Sequence, residues 1–339
     1  MVLFESQRVL ITFLLLCGYF AFTFKSKRFH TSIFIRFYSF FISILILKYF
    51  FYVGTLEFKG LASHFDSGSV VTPMIHEFEN FFMQIGYVFA SVNVLLNHKK
   101  QVQFFNKILE LEEKVYSLKY QFKNKNTFQI FEFTSIFCMI FIILYYFLCL
   151  TVIGVFIYPS PVFISTEVFA LSVDMLLTII SCLMILFLLF LVEFLNLLLK
   201  TNNLNLNNQI HHFCKNQSTS NLNGLTEILA LNNKLTSTFK SFSDCFGIAC
   251  AGIFLSNVGT LFCEFYIAYI TLRNSKNHED MRVWIFNVDI YMWSVLPMVF
   301  FGIFGFKCEK LVNEAQKAGK LLENVHLNRS TTYLVAKIV

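Results

Sequence analysis

Three acidic side chains stand inside apolar runs of this sequence, Asp174, Glu264 and Asp289. An ionised carboxylate at the centre of a bilayer costs about 2.5 to 3.5 kcal/mol on translocon scales, so each needs water, a partner or interface depth. Tyr145, Tyr146, Tyr266, Tyr269, Trp284, Tyr291 and Trp293 gather in the same halves of their apolar runs. Carboxylates accept hydrogen bonds from polyols and amines, while rings with a polar tip suit sugar faces and cations. The chemistry expected is recognition of a small hydroxylated or cationic molecule. Asp174, Glu264, Tyr266, Tyr269, Asp289, Tyr291 and Trp293 are the candidate binding residues. A plainer account fits the same residues: the acids sit at interface depth or pair with Lys48, and the aromatics form an interfacial belt.

Nothing in the sequence points to catalysis. No Ser/His/Asp or Cys/His nucleophile set is visible, there is no Gly-rich phosphate loop, and no cofactor is implied. His211-His212-Phe-Cys214 comes closest to a metal-ligand cluster and reads as solvated loop. The chain is expected not to be an enzyme.

The elements that carry these residues are membrane helices. With 56% hydrophobic residues, 14% charged and 45 Phe, the chain has more apolar surface than a soluble fold of 339 residues can bury. Six apolar runs have span character: Ile33 to Val53, Phe78 to Leu96, Phe128 to Tyr158, Val162 to Leu199, Phe246 to Leu272 and Trp284 to Phe306. Gln84, Ser91 and Asn93 make the second too polar to face lipid, and Pro297 lies within the sixth. Pro159-Ser-Pro161 closes the third. Val9 to Phe24 is 16 residues, about 24 Å as a helix against about 30 Å of hydrocarbon, and reads as a re-entrant or interfacial helix.

Two helices are expected to continue beyond the membrane. Phe104, Phe105, Ile108, Leu111, Val115 and Leu118 form one helical stripe, and Leu311, Ala315, Ala318, Leu322 and Val325 form another. The Asn-rich stretch 201–209, with its Ser/Thr/Asn-rich continuation to Gly224, reads as a flexible loop.

Of the 27 Lys and Arg residues, 22 fall in the N-terminus, the 97–127 and 200–245 segments and everything after Phe306. That imbalance places those segments in the cytosol and excludes nucleic acid as the reason for the net charge of +6. The nine Cys all fall in apolar runs or cytosolic loops, so no extracellular disulfide is expected. With six spans the N-terminus is cytosolic; if Val9 to Phe24 crosses, there are seven spans and an outside N-terminus.

The order of elements resembles the insect gustatory receptor family, within the insect chemoreceptors. The resemblance is carried by Cys17-Gly-Tyr-Phe before the first span, Asn97 at the close of the second, and the long fourth helix. Cys308 to Val325 ahead of Thr332-Tyr333 completes it. The family's terminal motif is Thr-Tyr, five mostly apolar residues, then Gln-Phe. Thr332 and Tyr333 match; Leu334, Val335, Ala336 and Ile338 fit; Lys337 does not, and Val339 stands at the Gln position.

The resemblance implies a subunit of a tetrameric ligand-gated cation channel in the plasma membrane, gated by a small-molecule tastant. Helices two to six would enclose the ligand, and a seventh helix, beginning near Thr332 and Tyr333, would line the pore. The expected organisation is an all-α polytopic bundle over 1–306, a cytosolic anchor-type helix over 307–330 and a remnant of the pore helix over 331–339. Nine residues from Thr331 cover about 14 Å, so a chain of this length is expected not to conduct alone. A seven-helix G-protein-coupled receptor and a non-conducting auxiliary subunit are the rival readings.

Overall fold

The computed structural model describes residues 2–64, 71–117, 125–152, 167–216, 219–274 and 281–327, with some side chains inside these ranges left undescribed. Helices α1 (Val2–Ser6) and α2 (Arg8–Leu16) are followed by a hairpin of β1 (Phe22–Lys25) and β2 (Arg28–Thr31). Six long helices follow: α3 (Ile33–His64), α4 (Val71–Ser117), α5 (Lys125–Val152), α6 (Glu167–Asn216), α7 (Thr219–Asn274) and α8 (Met281–Leu327). Among the described residues, Glu132–Val152, Met175–His212 and Gly224–Ile270 are long and apolar enough to cross a membrane. The expected helical bundle is present, with one small antiparallel hairpin added to it. The end of the third expected span beyond residue 152, and Pro159 to Pro161, lie outside the described residues.

Helix α6 is the axis of the bundle and packs against α2, α3, α4, α5, α7 and α8. Its side chains from Leu183 to Leu188 are all buried, which its unbroken apolar sequence requires of a helix surrounded on every side. The outer faces are apolar as well: Phe34 is 82% exposed on α3, Phe133 72% on α5 and Phe262 71% on α7. Such a surface is stable only in lipid or under a partner.

Helices α4 and α7 run antiparallel in close contact through three glycines. A side chain at Gly252 would collide with Phe89, one at Gly259 with Phe82, and one at Gly86 with Ser256. Of the three polar residues expected to face inward, Ser91 and Asn93 are buried and Gln84 is half-buried. Asn93 donates to the Cys245 carbonyl of α7 at 2.9 Å, and Asn97 donates to Asn93 at 2.9 Å.

Both helical stripes read from the sequence are present as far as their side chains are described; those of Leu118, Leu322 and Val325 lie outside the described residues, and Ala315 is half-buried. Phe104, Phe105, Ile108, Leu111 and Val115 are buried on the continuation of α4. On α8, Leu311 and Ala318 are buried, and Ala318 packs with Leu206, Leu225 and Ile228. The Asn-rich stretch departs from expectation, because it is not a loop: α6 stays helical through 201–209 and on to Asn216. Two of its amides find partners on the neighbouring helices. Asn202 donates to the Ile228 carbonyl at 3.2 Å, and Asn203 donates to the Glu314 carbonyl at 2.8 Å and its carboxylate at 3.1 Å. His211 and His212 are exposed on the same helix.

The stretch Val9 to Phe24 is not one helix. Helix α2 ends at Leu16 in a Schellman turn: Tyr19 N–H donates to Leu14 at 2.9 Å, Gly18 N–H donates to Leu15 at 3.1 Å, and Gly18 has φ 81°. Nine helical residues cover about 14 Å, and the chain then turns away into β1. Side chains of α3 and α4 bind the carbonyls at that turn. Tyr38 donates to Leu16 at 2.7 Å, Ser39 to Phe20 at 3.0 Å and Tyr87 to Cys17 at 3.3 Å. The hairpin reverses through Ser26 and Lys27, both at positive φ, and its backbone is held by Asn106, whose amide exchanges hydrogen bonds of 2.8 and 2.9 Å with Phe29.

Candidate functional site

Toward the end of the bundle where α7 finishes and α8 begins, five helices bring polar side chains together. Glu264 on α7 is only 4% exposed, and Ser294 on α8, 5% exposed, donates its hydroxyl to the Glu264 carboxylate. Both positions face inward with their neighbours one turn on, since Ile267 and Ala268 on α7 and Pro297 on α8 are buried on the same helical faces. Glu79 of α4 lies within electrostatic reach of Cys263, the neighbour of Glu264, so α4 adds a second carboxylate to this end.

Helix α5 closes the other side of α8. The Tyr146 hydroxyl donates to the Trp293 carbonyl at 3.2 Å, and the Tyr145 hydroxyl donates to the Met292 carbonyl. The rings of Tyr146 and Trp293 meet edge to face at 5.7 Å and 64°, a favoured aromatic geometry. Cys182 of α6 places its sulfur 3.5 Å from the Tyr146 oxygen. Tyr291 packs on Phe265, with ring centroids 5.2 Å apart, one residue from Glu264.

Of the residues named from sequence, the structure brings Glu264, Tyr291 and Trp293 into this one region. Tyr266 is half-buried and Tyr269 is 57% exposed. Two and five residues beyond Glu264, they are turned by about 200° and 140° to other faces of α7. Asp174 and Asp289 lie on α6 and α8, but their side chains are outside the described residues, as are Thr332 and Tyr333. Lys48 is exposed on α3, and the described hydroxyl partner of Glu264 is Ser294.

Sequence reasoning passed over Ser294, Glu79 and Cys182. Ser294 had a readable signal, being a polar residue three positions after Tyr291 inside an apolar run. Pro297 gave a second one: proline has no N–H, so the carbonyl four residues earlier, that of Trp293, must find a donor elsewhere.

The assembled groups are carboxylate acceptors, hydroxyl donors and ring faces, a set suited to holding a polar ligand rather than to bond-making. Among the described residues no group of three or more His, Cys, Asp or Glu side chains could hold a metal ion. No curated protein matches the sequence. The family model described as 7tm chemosensory receptor matches residues 7–336, nearly the whole chain, and its members are receptors rather than enzymes. With nearly the whole length matched, this chain belongs to the 7tm chemosensory receptor family.

Proposed function

We propose that this chemoreceptor is a subunit of a ligand-gated cation channel in the plasma membrane that senses a small hydroxylated or cationic molecule as a tastant. The observation that carries the reading is the buried Glu264–Ser294 pair beside Tyr146 and Trp293, at the end of the bundle opposite the helix extensions. The distribution of Lys and Arg puts that end outside and puts the N-terminus and the extensions in the cytosol. A ligand with several donors is accepted by Glu264, oriented by the tyrosine hydroxyls and covered by the Trp293 ring. Asp174 and Asp289 are proposed to add to the same site from α6 and α8. Assembly as a tetramer with other receptor subunits would use the α4, α7 and α8 extensions.

Expressed with another subunit of the family, the chain is proposed to alter that subunit's ligand-gated current. Whole-cell recording under sugars, polyols and small amines tests this. A current and ligand response unchanged by its presence at matched surface level would contradict the proposed role as a channel subunit.

A further inference from the structure

Helix α8 is continuous through Pro297, yet the Trp293 carbonyl, four residues earlier, has no helical donor because proline lacks an N–H. The Tyr146 hydroxyl on α5 takes that place, donating at 3.2 Å from a side chain with no solvent exposure. Its single proton is thereby committed, so the Cys182 thiol, 3.5 Å away, is the donor in that second contact. A chain of polar contacts runs from α6 through α5 to α8.

Met292, Trp293 and Ser294 are three consecutive residues, and each is gripped by a different side chain. Tyr145 holds the first carbonyl, Tyr146 the second, and Glu264 the hydroxyl of the third. Just after them comes the point where α8 lacks an internal bond. Further along, Lys307 pairs with Glu193 at 2.8 Å and Glu314 accepts from Asn203, so the remainder of α8 is tied to α6. A helix held at both ends and missing one rung between them bends at that rung.

We propose that α8 hinges at Pro297 and that Tyr146 is the positioning residue that latches the hinge in one bend, coupling the Glu264–Ser294 contact to the half of α8 beyond Pro297. That this coupling carries a ligand signal rests on the function proposed above; the hinge and its latch stand on the α5–α8 geometry alone.

The test needs no ligand. Backbone amide exchange is followed in the purified full chain in lipid nanodiscs for wild type, Tyr146→Phe, Ser294→Ala, Pro297→Ala and the doubles Tyr146→Phe/Pro297→Ala and Ser294→Ala/Pro297→Ala. Loss of one buried hydrogen bond is expected to raise exchange over 298–304 by about five- to tenfold in Tyr146→Phe, with α6 and α7 unchanged. Ser294→Ala is expected to raise the same segment, and Pro297→Ala, which restores the helical N–H, to lower it below wild type. In the Pro297→Ala background both other substitutions are expected to act by less than about twofold.

Equal effects of Tyr146→Phe with and without Pro297 would show that its hydroxyl does not serve the proline-freed carbonyl. No change in Pro297→Ala alone, or a rise spread evenly over α5 to α8, would overturn the hinge. A correct exchange pattern together with an unchanged ligand response in Glu264→Gln would keep the hinge and remove the ligand site.

Discussion

Gly252 of α7 lies so close to Phe89 of α4 that a Cβ there would overlap the first side-chain carbons of the phenylalanine. Gly259 stands in the same relation to Phe82, seven residues along on both helices, so two glycines receive two rings at a two-turn repeat. At Gly252 the collision includes the Phe89 Cβ, which no rotamer moves away; at Gly259 it involves the Phe82 Cγ and both Cδ atoms, so that ring would have to turn about χ1 out of its place. Gly252→Ala and Gly259→Ala are each expected to destabilise the bundle by about 1 to 3 kcal/mol. Gly302→Ala, with nothing within 4 Å, is expected to be neutral or to stabilise by up to about 1 kcal/mol. Thermal unfolding in detergent compares the three, and equal midpoints would contradict the close α4–α7 approach.

Lys307 and Glu193 form an ion pair at 2.8 Å with about a quarter of each side chain exposed, at 26% and 25%. Removing one partner leaves a charge partly out of water, so Lys307→Gln and Glu193→Gln are each expected to cost about 1 to 3 kcal/mol. The double substitution is expected to cost less than the sum of the two. Strict additivity in a double-mutant cycle on unfolding would show that the pair does not couple α8 to α6.

The stretch 201–209 gives a sharper test, because helix and loop respond in opposite ways to proline. Asn207 is exposed, and Asn207→Pro removes a helical N–H and clashes with the preceding turn, at a cost of about 3 kcal/mol in a helix. Limited proteolysis is expected to show protection of 201–209 in the parent chain and cleavage there in Asn207→Pro. Ready cleavage in the parent would restore the loop reading.

These elements differ in how far the sequence could foretell them. Phe104 to Val115 and Leu311 to Ala318 were legible because a buried stripe leaves its 3.6-residue period in the residue types. The Asn run was not, since asparagine's weak helix propensity argues for a loop unless the amides find partners. Those partners, Ile228, Asn232 and Glu314, are 26 to 111 residues away in the chain. The hairpin was hidden for a similar reason: Ser26-Lys27 lacks the Asn-Gly signal of a two-residue turn, and Asn106, 77 residues beyond its partner Phe29, supplies what holds it.

In the candidate site, Glu264, Tyr291 and Trp293 were legible as polar groups in apolar runs. Which faces they share depends on helix rotation, and that separates them from Tyr266 and Tyr269.

The central claim is that Glu264 recognises the ligand. It is tested most directly by dose-response curves for sugars, polyols and small amines in cells expressing the chain with a conducting partner, comparing wild type with Glu264→Gln at equal surface level. A hydrogen bond to a charged acceptor is worth about 1.5 to 3 kcal/mol, so the half-maximal concentration of the active ligand is expected to rise about tenfold or more. An unchanged curve in Glu264→Gln at matched surface expression would contradict the account and remove Glu264 from the site.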